Sequence, residues 1–134
     1  MLFGQEHVEK YRETDGEVGH EWQGTVTLIL TTTGRKSGDE RSTPLIYQPT
    51  DDGGWAIVAS KGGDDHPPAW FLNLEENPEV DVQIKADRFK ARARVASDDE
   101  QPGLWKKMVA TWPAYEEYQA KTDRKIPVVV LERI

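Results

Sequence analysis

Two cations stand between two glycines in Gly34-Arg35-Lys36-Ser37-Gly38, directly after the apolar, β-branched run Leu28-Ile29-Leu30-Thr31-Thr32-Thr33. Arg41 follows shortly after, and Lys61 ends a second apolar run, Trp55 to Ser60. A strand that stops in a Gly-flanked basic turn directs backbone N–H groups and charged side chains outward together. Both favour negative oxygens, so the chemistry that suits this turn is capture of an anionic ligand. A solvated hairpin turn would carry the same residue types for solubility, and the turn alone leaves both readings open. The chain as a whole has a formal charge of −7, which sets these cations apart as a local feature. The same balance argues against non-specific binding of nucleic acid.

Three further groups converge with the turn. Ala59-Ser60-Lys61-Gly62-Gly63 puts a hydroxyl and a cation beside two glycines. Pro67-Pro68-Ala69-Trp70-Phe71-Leu72-Asn73-Leu74 opens a helix whose first amides can face an anion. Trp112, Tyr115 and Tyr118 form an aromatic group with two hydroxyls. A flat heterocycle with an anionic tail needs such parts: glycines for close approach, cations for the tail, aromatics and a hydroxyl around the ring. Each part also has a plain structural use. Gly62-Gly63 serves as a loop, Trp70 and Phe71 as core, and Tyr115 and Tyr118 as packing with wet hydroxyls.

Other chemistries lack their residues. There is no cysteine, hence no disulfide, thiolate nucleophile or thiolate metal site, in keeping with a reducing cytoplasm. His7, His20 and His66 are scattered in polar contexts and are expected to be exposed. No HExxH, DxDxDG or Cys/His cluster occurs, so no metal site is expected. No GxSxG elbow is present, and no GxGxxG follows a strand. Lys36 follows Arg35 where a P-loop would need a glycine. An enzyme with this composition draws its difficult chemistry from a bound cofactor.

The elements that must position these residues follow from periodicity. At 134 residues one domain is expected, with residues 1–24 as an N-terminal helix and loop before a domain over 25–134. The helix covers Gln5 to Thr14 and ends at Asp15-Gly16; His20 to Gly24 reads as loop. Strands are predicted over Thr25–Thr33, Arg41–Tyr47 and Trp55–Ser60, with a hairpin at Asp51-Asp52-Gly53-Gly54. A helix from Ala69 to Asn77 starts behind Pro68 and stops at Pro78. Val80, Val82 and Ile84 alternate with polar residues, as do Phe89, Ala91, Ala93 and Val95 after a turn near Asp87. Ser97 and Glu100 have capping-box spacing before a helix bearing Leu104, Trp105, Met108 and Val109. A further helix spans Ala114 to Thr122, and Ile126 to Leu131 closes the chain as a buried strand. The sum is an α+β protein: six strands in mostly antiparallel meanders, closed into a small barrel, with three or four short helices packed outside. No apolar segment approaches the length of a membrane span, and Met1-Leu2-Phe3 is too short an apolar start for a signal peptide.

At these residues the chain resembles the deazaflavin-dependent nitroreductases, or quinone reductases, of actinobacteria. The matching segments are Leu30 to Gly38, Arg41-Ser42-Thr43-Pro44-Leu45, Ala59 to Gly63, Pro68 to Leu74 with Asn77-Pro78, Tyr115 to Gln119, and Thr122-Asp123-Arg124 with Ile126 to Val130. They run in the family's order over residues 25 to 132. The resemblance implies a split β-barrel and coenzyme F420, an 8-hydroxy-5-deazaflavin with a phosphodiester, a lactyl carboxylate and an oligoglutamate tail. It implies hydride transfer from the reduced coenzyme to a quinone, nitroaromatic or activated enone. Arg35, Lys36 and Ser37 would meet the phosphate and carboxylates of the tail. Arg41 with Ser42, Thr43, Pro44, Leu45 and Ile46 would line the coenzyme, and Val58, Ala59, Ser60 and Lys61 would lie along the deazaflavin and its linker. Ala69, Trp70, Phe71, Leu72 and Asn73 would supply amides at a helix start. Tyr115 would close over the ring, with Trp112 and Tyr118 on the substrate side. Ser60 and Tyr115 or Tyr118 would hydrogen-bond the oxygen where negative charge develops, and one would relay a proton.

The chain departs from the pattern at Trp112, where some members have tyrosine, and in Asp64-Asp65, which adds negative charge near the tail site. The segment before residue 25 lacks the long apolar-basic extension that tethers some relatives to membrane. A cytoplasmic protein, at most weakly associated with the inner membrane face and paired as a homodimer, is the expectation that follows. Two other readings stay open beside the reductase: a non-catalytic F420-binding shuttle, and a split barrel that binds FMN or haem.

Overall fold

Apolar side chains alternate between two faces along a strand, and in this protein both faces of the central strands are dry. The computed structural model describes residues 2–134. The chain runs α1 (Gly4–Thr14), β1 (Glu21–Trp22), β2 (Thr25–Thr33), β3 (Glu40–Ile46), β4 (Gln48–Pro49) and β5 (Trp55–Val58). A 3-10 turn (Lys61–Gly63) leads to α2 (Ala69–Glu76), β6 (Glu79–Ile84), β7 (Asp87–Val95), α3 (Gln101–Thr111), α4 (Ala114–Ala120) and β8 (Val128–Arg133). Every strand pairing is antiparallel, in the order β1-β2-β6-β7-β8-β5-β4, with β3 also paired to β2. β3 passes through the single residue Tyr47 into β4, so one bent segment joins β2, next to one end of the sheet, to β5, next to the other. The sheet therefore curls toward a barrel, and the α+β class stands.

The count of strands differs from the expected six, because β1 and β4 are added. Each has two residues. Strands that short leave no alternation to read, and they form only because a neighbouring edge offers them hydrogen bonds. β5 stops at Val58 instead of Ser60, and β8 starts at Val128, after Pro127, whose nitrogen has no hydrogen to give. The β6–β7 turn falls at Lys85-Ala86, with Asp87 already paired to Ile84.

Leu28 and Leu30 of β2, Ile57 of β5 and Val129 and Leu131 of β8 point into one interior cluster. The intervening Val58, Val128 and Val130 point to a second cluster, shared with Met108 of α3 and Tyr115 of α4. Ile29 faces Val8 and Tyr11 of α1. Each fully buried aliphatic side chain contributes roughly 1.5–3 kcal/mol relative to exposure. α2 is not an outside helix: Trp70, Phe71 and Leu74 join the interior cluster. The capping box forms as spaced, Ser97 N donating to Glu100 Oε1 at 2.9 Å and Glu100 N to Ser97 Oγ at 3.3 Å. No helix among the described residues is long and apolar enough to cross a membrane.

Candidate active site

The basic turn is closed by its own backbone. Gly34 N donates to Asp39 O at 2.7 Å and Gly38 N to Gly34 O at 2.9 Å. Ser37 Oγ accepts from Asp39 N at 3.1 Å, so this hydroxyl shapes the turn. α2 then ties the turn down. The buried Asn73 accepts through Oδ1 from Arg35 N (3.1 Å) and Arg35 Nη1 (3.0 Å), and donates to Thr32 Oγ1 (3.2 Å). Arg35 is thus oriented by a neutral amide and keeps its charge uncompensated. Among the described residues, no carboxylate lies within 4.0 Å of Arg35, Lys36, Arg41 or Lys61. Three of these cations, Arg35, Lys36 and Arg41, line one cavity of about 440 Å³, completed by Ser37, Ser42, Thr43 and, from α2, Ala69, Trp70 and Asn73.

A second cavity, of about 340 Å³, shares Thr43 with the first. Pro44, Leu45, Ile46, Val58, Ser60 and Gly62 form one side of it, and Trp112, Tyr115 and Tyr118 another. No formally charged side chain lines it. Gly63 brings α4 onto this site: its φ is +87°, and a Cβ there would stand 2.5 Å from Tyr118 O. Burial pushes the Tyr115 phenol well above its ordinary pKa, so it keeps its proton and is available as a hydrogen-bond donor. Neither the Ser60 nor the Tyr115 hydroxyl has a hydrogen-bond partner among the described residues, and neither is sealed from the surface. Tyr118 Oη accepts from Trp112 Nε1 at 3.5 Å.

The sequence-derived residues divide between packing and cavity. Ala59 and Phe71 are core, and Leu72 is half-buried against it. Lys61 is exposed and lines neither cavity. The Ser42 hydroxyl bonds Arg12 Nη2 and Thr31 Oγ1, both at 2.8 Å, and so docks α1 on β3.

Two histidines contradict the expectation of exposure: His7 is 2% and His20 9% exposed. α1 buries a His7–Val8–Tyr11 face, a stripe too narrow to stand out in a polar helix. His20 Nε2 lies 2.9 Å from Tyr47 Oη, and burial lowers its pKa. His66 is exposed as expected.

Residues that sequence reasoning missed come from afar. Leu2, Phe3, Gly4, His7, Trp22 and Thr27 supply the remaining wall of the second cavity. Trp22 packs on Trp112 with centroids 5.7 Å apart and donates Nε1–H to Leu2 O at 2.8 Å. Arg124 clamps the Ser60 loop, donating to Ala59 O (3.2 Å), Ser60 O (2.9 Å) and Asp64 O (2.8 Å). Its segment was part of the family resemblance, which gave no role for it.

A curled antiparallel sheet carrying a cavity lined by Arg35, Lys36 and Arg41 beside an aromatic cavity that shares Thr43 with it defines a split-barrel-like α+β protein. The chain belongs to the F420H(2)-dependent quinone reductase family, whose model matches residues 3–133. It is an oxidoreductase that depends on coenzyme F420. An F420H(2)-dependent quinone reductase of Mycobacterium tuberculosis is 41% identical over 128 residues, 92% of this chain and 85% of that protein. A solved structure of an F420-H2 dependent reductase is 43% identical, with a TM-score of 0.71, covering 79% of this chain and 93% of that one. Another, described as a domain-swapped dimer, is 39% identical with a TM-score of 0.74 and covers 96% of each chain. The family selects the reductase over the shuttle, FMN and haem readings.

Proposed function

We propose that the 440 Å³ cavity takes the anionic tail of coenzyme F420 and that the 340 Å³ cavity holds its ring beside a quinone. The observation that carries this is the set of three cations without carboxylate partners, in a cavity that shares Thr43 with one lined by no Asp, Glu, Lys or Arg. The donor set fits a phosphodiester and carboxylates: Arg35, Lys36 and Arg41 bring charge, and Ala69 and Trp70 bring the first amides of α2. Thr43 to Ile46, Val58 and Ser60 flank the ring, Tyr115 covers it, and Trp112 and Tyr118 bound the acceptor. The bound coenzyme supplies the hydride.

The protein's own residues orient the partners, which is worth up to roughly 7–11 kcal/mol of barrier in ideal cases. They also exclude water, and the free hydroxyls of Ser60 and Tyr115 face the oxygen that gains charge. Nitroaromatics and activated enones present oxygens of the same kind and enter as alternative acceptors. A homodimer fits the reading, since the 39% identical solved relative is described as a domain-swapped dimer.

Lys36→Ala tests the tail site. Loss of one exposed charge contact costs about 1 kcal/mol, so the coenzyme Kd should rise roughly 5-fold in a titration while Tm holds. Unchanged affinity would remove Lys36 from the site.

A further inference from the structure

His7 is almost wholly buried yet forms part of the aromatic cavity wall. Its Nε2 lies 2.8 Å from the Gly19 carbonyl and 3.3 Å from Thr27 Oγ1. A carbonyl only accepts, so Nε2 carries a hydrogen whatever the charge on the ring. Thr27 donates its own hydroxyl hydrogen to the same carbonyl at 2.7 Å, which leaves its lone pairs for Nε2. Gly19 has a φ of +107°, and a Cβ there would stand 3.0 Å from His7 Cδ2. A side chain there would crowd the ring and hold a φ that L residues rarely adopt, so glycine favours this close approach. One nitrogen is fixed as a donor, and the ring gains or loses a proton only at Nδ1. Nδ1 has no hydrogen-bond partner among the described residues, and no polar side-chain atom sealed from the surface lacks one. His7 lines the cavity, and Nδ1 is the ring nitrogen that Gly19 and Thr27 leave free.

The groups around the ring come from four elements. Tyr11, on the same helix, has its ring 6.4 Å away and is pushed up to about 12 by burial. Trp22 of β1 lies at 6.2 Å, and Thr27 comes from β2. Tyr115 and Tyr118 of α4 line the same cavity. None of these is charged at neutral pH. His7 is the one imidazole in the cavity wall among the described residues.

We propose that His7 Nδ1 is the proton donor to the acceptor oxygen, a catalytic role that rests on this cavity being the acceptor site. Reduction of a quinone to a hydroquinone adds two electrons and two hydrogens. One hydrogen arrives with both electrons, as the hydride from the reduced coenzyme. The other is a proton: the Nδ1–H bond of the imidazolium cation breaks, its electron pair stays on the ring, and an O–H bond forms on the acceptor. His7 leaves the step neutral and regains a proton from water before the next turnover.

His7→Gln keeps an amide N–H for Gly19 and removes the titratable nitrogen. Coenzyme affinity is measured by titration, and kcat is followed against pH with menadione, a menaquinone analogue. Coenzyme Kd should stay within about 2-fold, while kcat falls about 10²-fold. The kcat of the variant should not follow the pH dependence of wild type. On wild-type protein loaded with coenzyme, nitrogen NMR of labelled histidine should show the Nδ1 signal shifting when hydroquinone is added, with Nε2 protonated throughout. That measurement decides the matter even where His7→Gln does not fold. Wild-type turnover of menadione with an unaffected His7→Gln, or an Nδ1 that ignores hydroquinone, overturns this inference alone. Wild-type protein inert toward menadione overturns the acceptor site and this inference with it.

Discussion

Replacing Gly63 by alanine separates the placement of α4 from the strain of the loop that carries Ser60. A Cβ at Gly63 meets Tyr118 O at 2.5 Å, Tyr118 Cα at 2.9 Å and Tyr118 C at 3.1 Å. All three are backbone atoms, so no rotamer change relieves the overlap. At φ +87° the alanine also costs roughly 1 kcal/mol in conformation, and the overlap adds roughly 1–3 kcal/mol. The neighbouring Gly62 is the control. Its φ is +63°, but nothing lies within 4 Å of its Cβ position, so alanine there meets only the conformational cost of roughly 1 kcal/mol.

In a chain of this length, Gly63→Ala should lower Tm by about 10 °C and Gly62→Ala by about 4 °C. Where the structure yields, α4 must retreat by roughly 1 Å, taking Tyr115 and Tyr118 with it, and a shift of that size can reduce kcat about 10²-fold. The assays are thermal unfolding and quinone turnover at saturating coenzyme. Equal Tm and kcat for the two variants would refute both the close approach of α4 and its part in the site.

Two other perturbations probe the charges. Asn73→Asp would set a carboxylate about where Oδ1 now meets Arg35 Nη1 at 3.0 Å, neutralising one of the three free cations. Coenzyme Kd should rise roughly 10-fold with the fold intact, and an unchanged Kd would show that Arg35 does not meet the tail. Glu100 is held by Arg94 at 2.6 and 2.9 Å and by Ser97 N at 2.9 Å, and Arg94 first and Ser97 second pull its carboxyl down to about 2. A carboxyl depressed in the folded state stabilises above its ordinary value and loses that contribution as pH falls through the lowered one. Wild-type Tm should therefore fall more steeply than that of Glu100→Gln between about pH 4.5 and about pH 2. Parallel curves would contradict the assignment.

What the sequence determined by itself is whatever short stretches of chain decide. The capping box at Ser97 and Glu100, the Thr50–Gly54 hairpin turn and the start of α2 behind Pro68 all close within a few residues, so their energetics are local. The basic turn belongs with them, since its hydrogen bonds close within five residues, and its residues were part of the pattern that resembled the family. Tertiary structure decided the rest. Arg124 reaches back 64 residues to Ser60, Asn73 reaches 38 to Arg35, and Trp22 finds Trp112 across the cavity. Such pairs depend on how β2, β3 and β5 register and curl, and no local spacing encodes them. His7 shows the reason most plainly. A histidine in a polar helix has the same neighbours in sequence whether it is wet or dry. Only the docking of α1 over β2, with Gly19 and Thr27 brought against the ring, takes it out of water.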